Sequence, residues 1–198
     1  ELFPFMEGNY RVDGNNRSIM GCSLGGLITM YALFSQPGMF TGYAAASPAI
    51  GWDREVIYQY EKKYFESHTS LPGRLYMTMG GVERAVPAFE RLSKSLEARK
   101  YNSLHIRPKL LENTGHSGTK SETYSRGLQY IFERNKLDLA GDILDWYAGN
   151  YELPGGAMIE LKREGSQLSW YFAATNKIEL FADTETHLYA THEFFNLY

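Results

Sequence analysis

Five residues, Gly21-Cys22-Ser23-Leu24-Gly25, carry the most specific chemical signal in the chain. They follow a short apolar run at 17–20 and precede residues 24–34, a run of helical length that stops at Gln36-Pro37-Gly38. A serine in the tight turn between a strand and a helix sits in strained backbone geometry that exposes its hydroxyl. Glycines are expected on both sides because side chains there would clash. Gly26 extends the small face and lets the helix approach the sheet. The bare Gly-x-Ser-x-Gly pattern arises often by chance. Its strand-turn-helix context favours Ser23 as a nucleophile over a serine that caps a glycine-rich helix start.

A serine hydroxyl needs a base to take its proton, and that base needs an orienting acid. His116 lies in Asn113-Thr114-Gly115-His116-Ser117, a polar loop between a strand and a helix, where a sheet's carboxyl edge would present it. The other histidines fit this role less well. His68 is in a polar linker, His105 opens a strand, and His187 and His192 fall in the tail. Glu83 follows Met79-Gly80-Gly81-Val82, at the end of the strand before the one leading to His116, and completes the chain order serine, acid, histidine. A glutamate at that point would also complement the dipole of the following helix. Asp53 and Glu90 are the weaker candidates for the acid.

The elements that must position these groups alternate. Strands are expected at 17–20, 43–46, 75–79 and 105–111. Helices are expected at 24–34, at 53–65 with Asp53 as its N-cap, at 87–99 and at 122–134. This alternation implies a mostly parallel α/β sheet. The character changes near residue 137: residues 138–198 hold only 3 basic but 10 acidic side chains, against a whole-chain net charge of −3. After a helix-compatible stretch at 138–146, short alternating runs at 147–153, 158–163, 167–173, 177–181 and 187–195 are separated by turn residues, among them Pro154-Gly155-Gly156 and Gly165-Ser166. An antiparallel β unit is expected there, with an apolar face that includes Leu161, Leu168, Trp170, Phe172, Leu180 and Phe181. The division is therefore 1–137, bearing the chemistry, and 138–198, a linker and small β module.

Composition excludes several classes. With 198 residues, 43% hydrophobic and 22% charged, the chain is long enough and apolar enough to bury a core. No run of Lys or Arg tracks a phosphate backbone, so nucleic acid is not the expected partner. No apolar stretch approaches the ~20 residues that cross a bilayer. The single cysteine, Cys22, closes no intrachain disulfide, and no Cys/His spacing resembles a zinc site. Localisation, cytoplasmic or exported, and oligomeric state stay open.

The segment from Glu-Leu-Phe-Pro-Phe-Met-Glu at the start, through Tyr10-Arg11 and Arg17-Ser18-Ile19-Met20-Gly21-Cys22-Ser23-Leu24-Gly25-Gly26, resembles an esterase family of α/β-hydrolases. Esterase D, the enterobactin esterases and feruloyl esterases belong to that family. The resemblance continues through Ala46-Ser47-Pro48, Trp52, the Gly-Gly-Val-Glu segment and Thr114-Gly115-His116, over about residues 1–135. It implies Ser23 as nucleophile, His116 as base and Glu83 as acid. More loosely, Tyr147-Ala148-Gly149-Asn150-Tyr151 and the hairpins after it are similar to small β modules attached to bacterial hydrolases. The chain departs from the family in one respect: only 22 residues precede Ser23, too few for the strands that come before the elbow. The expectation is a partial α/β-hydrolase sheet, from the elbow strand onward, in a carboxyl-terminal piece of a longer enzyme. Of the two oxyanion donors, the Leu24 N–H lies within this chain and the second outside it. Loss of one donor costs roughly 100- to 1,000-fold in rate.

The expected activity is hydrolysis of a small-molecule carboxylic ester through an acyl enzyme, with no metal or organic cofactor. Trp52, Tyr43 and aromatics at 58–65 are candidate pocket walls, although aromatics at helical spacing more often form core. Acyl transfer to an alcohol would use the same acyl enzyme, and a non-catalytic binding protein with a vestigial elbow is the reading from another class.

Overall fold

The computed structural model describes residues 2–134, 136–172 and 176–190, with the side chains of Phe172 and Asn176 left aside. The chain divides into two compact units, residues 1–133 and 134–198. In the first, α1 (Leu2–Asn9) precedes β1 (Ser18–Cys22), α2 (Leu24–Ser35), β2 (Gly42–Ala46), α3 (Val56–Phe65), β3 (Ser70–Gly80), α4 (Val86–Arg99), β4 (Asn102–Leu111), a 3₁₀ turn (His116–Gly118) and α5 (Thr119–Ile131). The four strands are parallel and hydrogen-bonded in sequence order.

Side-chain alternation distributes the helices between the faces of this sheet. Tyr43 and Ala45 of β2, with Leu75, Met77 and Met79 of β3, join the core under α2, α3 and α4, packed on Met30, Leu33, Ile57, Phe89 and Leu92. The intervening residues face α5: the Tyr76 and Tyr130 rings meet at 6.0 Å, and Thr78 Oγ1 lies 2.6 Å from Thr123 Oγ1. β2 is Gly-Tyr-Ala-Ala-Ala and buried throughout, because small side chains let helices approach from both sides. Glu61, 1% exposed, is held by Arg99 through Nε at 2.9 Å and Nη2 at 3.1 Å and by the Tyr101 hydroxyl at 2.9 Å, which ties α3 to the end of α4.

Several expected boundaries are corrected, among them the start of β4, which is Asn102 and not His105. Asp53 does not cap α3, because Asp53, Arg54 and Glu55 run through positive φ (43°, 55° and 64°) and the helix starts at Val56 without a side-chain cap. α5 starts at Thr119, three residues before the expected position, because the His116 turn leads straight into it. β3 reaches back to Ser70, past an irregularity in its pairing with β4 between Ser70 and Gly73.

Among the described residues the second unit holds α6 (Gly141–Tyr147) and five antiparallel strands in sequence order: β5 (Gly149–Glu152), β6 (Met158–Glu164), β7 (Gln167–Phe172), β8 (Asn176–Thr184) and β9 (His187–Ala190). Gly165 and Ser166 make a two-residue turn between Glu164 and Gln167, with Gly165 at φ 65°, the positive value required of a first turn residue in type I′ or II′ hairpins. Leu144 of α6 packs with Ile159, Leu161, Leu168, Trp170, Leu180, Ala182 and Leu188. Phe181 is not among them. It follows Leu180 in β8, so the pleat turns it to the other face, where its ring meets Tyr189 at 6.0 Å. The Phe172 side chain, His192 and the rest of the run expected to 195 lie outside the described residues.

Candidate active site

Four polar side chains of the first unit follow the carboxyl ends of its four strands. Ser23 follows β1, Ser47 follows β2, Glu83 lies three residues beyond β3, and His116 lies five beyond β4. In a parallel sheet these ends share one edge, so side chains remote in sequence converge there.

Ser23 has φ 59° and ψ −118°, a conformation that L-residues rarely adopt and that costs of order 1–3 kcal/mol. The surroundings impose it: Ser23 N–H donates to the Ala46 carbonyl at 3.0 Å, while its carbonyl accepts from Leu27 and Ala49 N–H, both at 3.0 Å. Tightness here is one-sided. A Cβ on Gly21 would lie 2.2 Å from the carbonyl carbon and oxygen of Gly25, whereas a Cβ on Gly25 would meet nothing within 4 Å among the described residues. The expectation that both flanking glycines are sterically required is therefore corrected to Gly21. Leu24 opens α2 and is half exposed, and its N–H is among those that a helix start leaves without an intrahelical acceptor. Burial pushes the neighbouring Cys22 thiol up, against Lys120, and keeps it protonated and a poor nucleophile.

His116 and Glu83 come together, with Nδ1 2.6 Å from Oε2. The Glu83 side chain is 13% exposed and that of His116 48%. Burial alone would push the Glu83 carboxyl up. Hydrogen bonds from Ser47, His116 and the Gly80 N–H outweigh it and hold the carboxyl below the usual glutamate range. Held as a carboxylate, Glu83 can only accept. His116 therefore carries its proton on Nδ1 and leaves Nε2 as the basic nitrogen. Among the described residues no hydrogen bond joins Ser23 Oγ to His116. Gly80 is needed where the histidine loop crosses: a Cβ there would lie 2.3 Å from the Thr114 carbonyl oxygen and 2.8 Å from Glu83 Oε1.

Other candidates sit elsewhere. Asp53 and Glu90 are exposed and neither contacts His116. His68 stacks on Tyr64 at 4.3 Å, His105 lies within β4, and His187 pairs with Asp183 at 2.5 Å. Trp52 is 58% exposed on the loop that follows Ala49, and the Ala49 N–H in turn bonds to the Ser23 carbonyl. Tyr43 is withdrawn as a pocket wall: it is fully buried, bonded to the Phe40 carbonyl at 3.0 Å, and burial pushes its phenol up to about 12. Tyr58, Tyr64 and Phe65 likewise pack on the core. Two hydroxyls that sequence reasoning gave no role are at most 1% exposed: Ser47 bonds to Glu83, and Thr119 lies against Ser47 and the His116 carbonyl. Ser47 could have been noticed as the residue leaving a strand of small residues at the catalytic edge. Among the described residues no group of three or more His, Cys, Asp or Glu could hold a metal ion, and no helix is long and apolar enough to cross a membrane.

A parallel sheet with a positive-φ serine at the first strand-to-helix turn, and a hydrogen-bonded acid and histidine after its third and fourth strands, defines the α/β-hydrolase class. The family model described as "Putative esterase" matches residues 1–117, and the chain belongs to that family. Over 57 residues it is 39% identical to the ferri-bacillibactin esterase BesA of Bacillus subtilis (strain 168), which is 29% of this chain and 20% of that protein. Over 95 residues it is 34% identical to the siderophore triacetylfusarinine C esterase of Aspergillus fumigatus, 46% of this chain and 32% of that protein. The solved structure of BES protein from Bacillus cereus superposes with a TM-score of 0.60 at 26% identity, over 66% of this chain and 52% of that one. The matched stretch thus spans a third or less of these two curated relatives and about half of the solved structure.

Proposed function

We propose that this chain carries the catalytic residues of a serine hydrolase that cleaves carboxylic esters through an acyl enzyme. The observation that carries this reading is the hydrogen bond at 2.6 Å from His116 Nδ1 to a Glu83 carboxylate, at the sheet edge where the strained turn presents Ser23. Ser23 Oγ attacks the acyl carbon and His116 Nε2 takes its proton. The imidazolium so formed is stabilised by Glu83, and the Leu24 N–H donates to the developing oxyanion. His116 returns the proton to the leaving alcohol. Water, activated by the same nitrogen, then attacks the acyl carbon and releases the acid and Ser23. Trp52, exposed on the loop fastened to the elbow, contributes apolar surface to the substrate. The relatives named for siderophore esters make the ester bonds of iron-chelating ligands the first substrates to assay.

Turnover of a p-nitrophenyl ester and of siderophore esters tests the reading. Ser23→Ala and His116→Ala should each abolish it, and Glu83→Ala should lower kcat on the order of 10³- to 10⁴-fold. Full turnover in Ser23→Ala would remove the proposal.

A further inference from the structure

Glu83 has two carboxylate oxygens and only one of them reaches His116. The other, Oε1, accepts from the Gly80 N–H at 2.8 Å and from the Ser47 hydroxyl at 2.5 Å. Ser47 is 1% exposed, leaves β2 at φ 38°, and its N–H is fixed to the Thr78 carbonyl at 2.9 Å. Its Oγ lies 2.8 Å from Thr119 Oγ1, and Thr119, with no exposed surface, donates to the His116 carbonyl at 3.0 Å. Proton bookkeeping orders this group. The carboxylate has none to give, so the Ser47 proton goes to Glu83. The single Thr119 proton is then shared between the His116 carbonyl and the Ser47 oxygen.

We infer that Ser47 and Thr119 are positioning residues: a buried pair of hydroxyls that fixes the Glu83 carboxylate and the histidine loop relative to one another. The inference rests on the proposed Ser23–His116–Glu83 mechanism and adds what holds its acid. With two donors on Oε1, the carboxylate is kept from rotating, and Oε2 stays on Nδ1. Thr119 acts on the other partner, tethering the His116 backbone to the same serine. The anchorage continues inward, because Thr123 Oγ1 donates to the Thr119 carbonyl at 2.6 Å and lies 2.6 Å from Thr78 Oγ1. Desolvated hydroxyls in a sheet–helix interface cost stability unless each finds a partner, and here each does. An apolar set of the same volume would fill the space but would leave Glu83 Oε1 with one donor.

The test is kinetic and spectroscopic, on the protein as expressed from its gene. Ser47→Ala and Ser47→Gly should each lower kcat on the order of 10- to 100-fold with KM within about twofold, the loss expected for one hydrogen bond to a charged group, and Thr119→Val, which removes bonds to neutral oxygens only, roughly 2- to 10-fold. Ser47→Gly relieves the positive φ while removing the hydroxyl, so it separates backbone strain from positioning. Thr119→Ser, which keeps the hydroxyl, should retain most of the native kcat. In a Glu83→Ala background Ser47→Ala should cost nothing further, because its effect runs through the acid. The downfield proton resonance of His116 Nδ1–H should be present in the native protein and in Thr119→Ser, and lost or moved upfield in Ser47→Ala. An undiminished penalty of Ser47→Ala in the Glu83→Ala background, or native kcat in both Ser47→Ala and Thr119→Val, overturns the inference. Turnover surviving in Ser23→Ala removes the mechanism and this inference together. Loss in Ser23→Ala with native kcat in the hydroxyl variants removes the inference alone.

Discussion

In the proposed mechanism Glu83 links chemistry and stability in one side chain. Its carboxyl titrates below the ordinary glutamate value of ~4.3 in the folded chain, so an unfolded chain takes up that proton first as pH falls. Its stabilising contribution is therefore complete above about pH 5 and is lost as pH drops through the folded pKa. Denaturation followed across this range should show native stability falling with acid. Glu83→Gln should be less stable at neutral pH and should give a flatter curve, and identical slopes would contradict the assignment of that acid sensitivity to Glu83. As candidates, Ser23, Glu83 and His116 can be picked out of the amino-acid sequence, since each lies in a short motif at a visible strand end. Ser47 and Thr119 are not, because a hydroxyl acquires its role from whatever the fold brings against it, 36 residues away for Ser47 and Glu83.

The elbow is the element whose shape the proposed chemistry depends on, and its two glycines differ. Gly21 faces the backbone of Gly25, which cannot yield, so Gly21→Ala should cost about 3 kcal/mol or more, or prevent folding. Gly25 is helical with open space where a Cβ would go, so Gly25→Ala should be neutral or stabilise by up to about 1 kcal/mol. Denaturant midpoints of the two variants decide it, and a Gly25→Ala that destabilises as much as Gly21→Ala would refute this account of the turn. The strand and helix order can be read from alternating apolar runs and breakers. Helix starts are less readable: three successive residues with positive φ, Asp53 and Arg54 exposed among them, precede α3, and no capping side chain announces it.

At the scale of the whole molecule, sequence and structure describe two different kinds of unit. The first is parallel and puts its candidate reactive groups at one edge; the second is an antiparallel sheet with its own core around Leu168 and Trp170. The change from helix-interleaved strands to hairpins is legible in turn residues such as Gly165-Ser166. The placement of Phe181 is not, since membership of an apolar run says nothing of which face a pleat assigns. The central claim, that Ser23 is the nucleophile, is tested most directly by treating the protein with a fluorophosphonate and locating the adduct by peptide mass spectrometry. The account predicts one modified residue, Ser23, with no adduct in Ser23→Ala or His116→Ala. An adduct on another residue, or labelling that persists in Ser23→Ala, would contradict it.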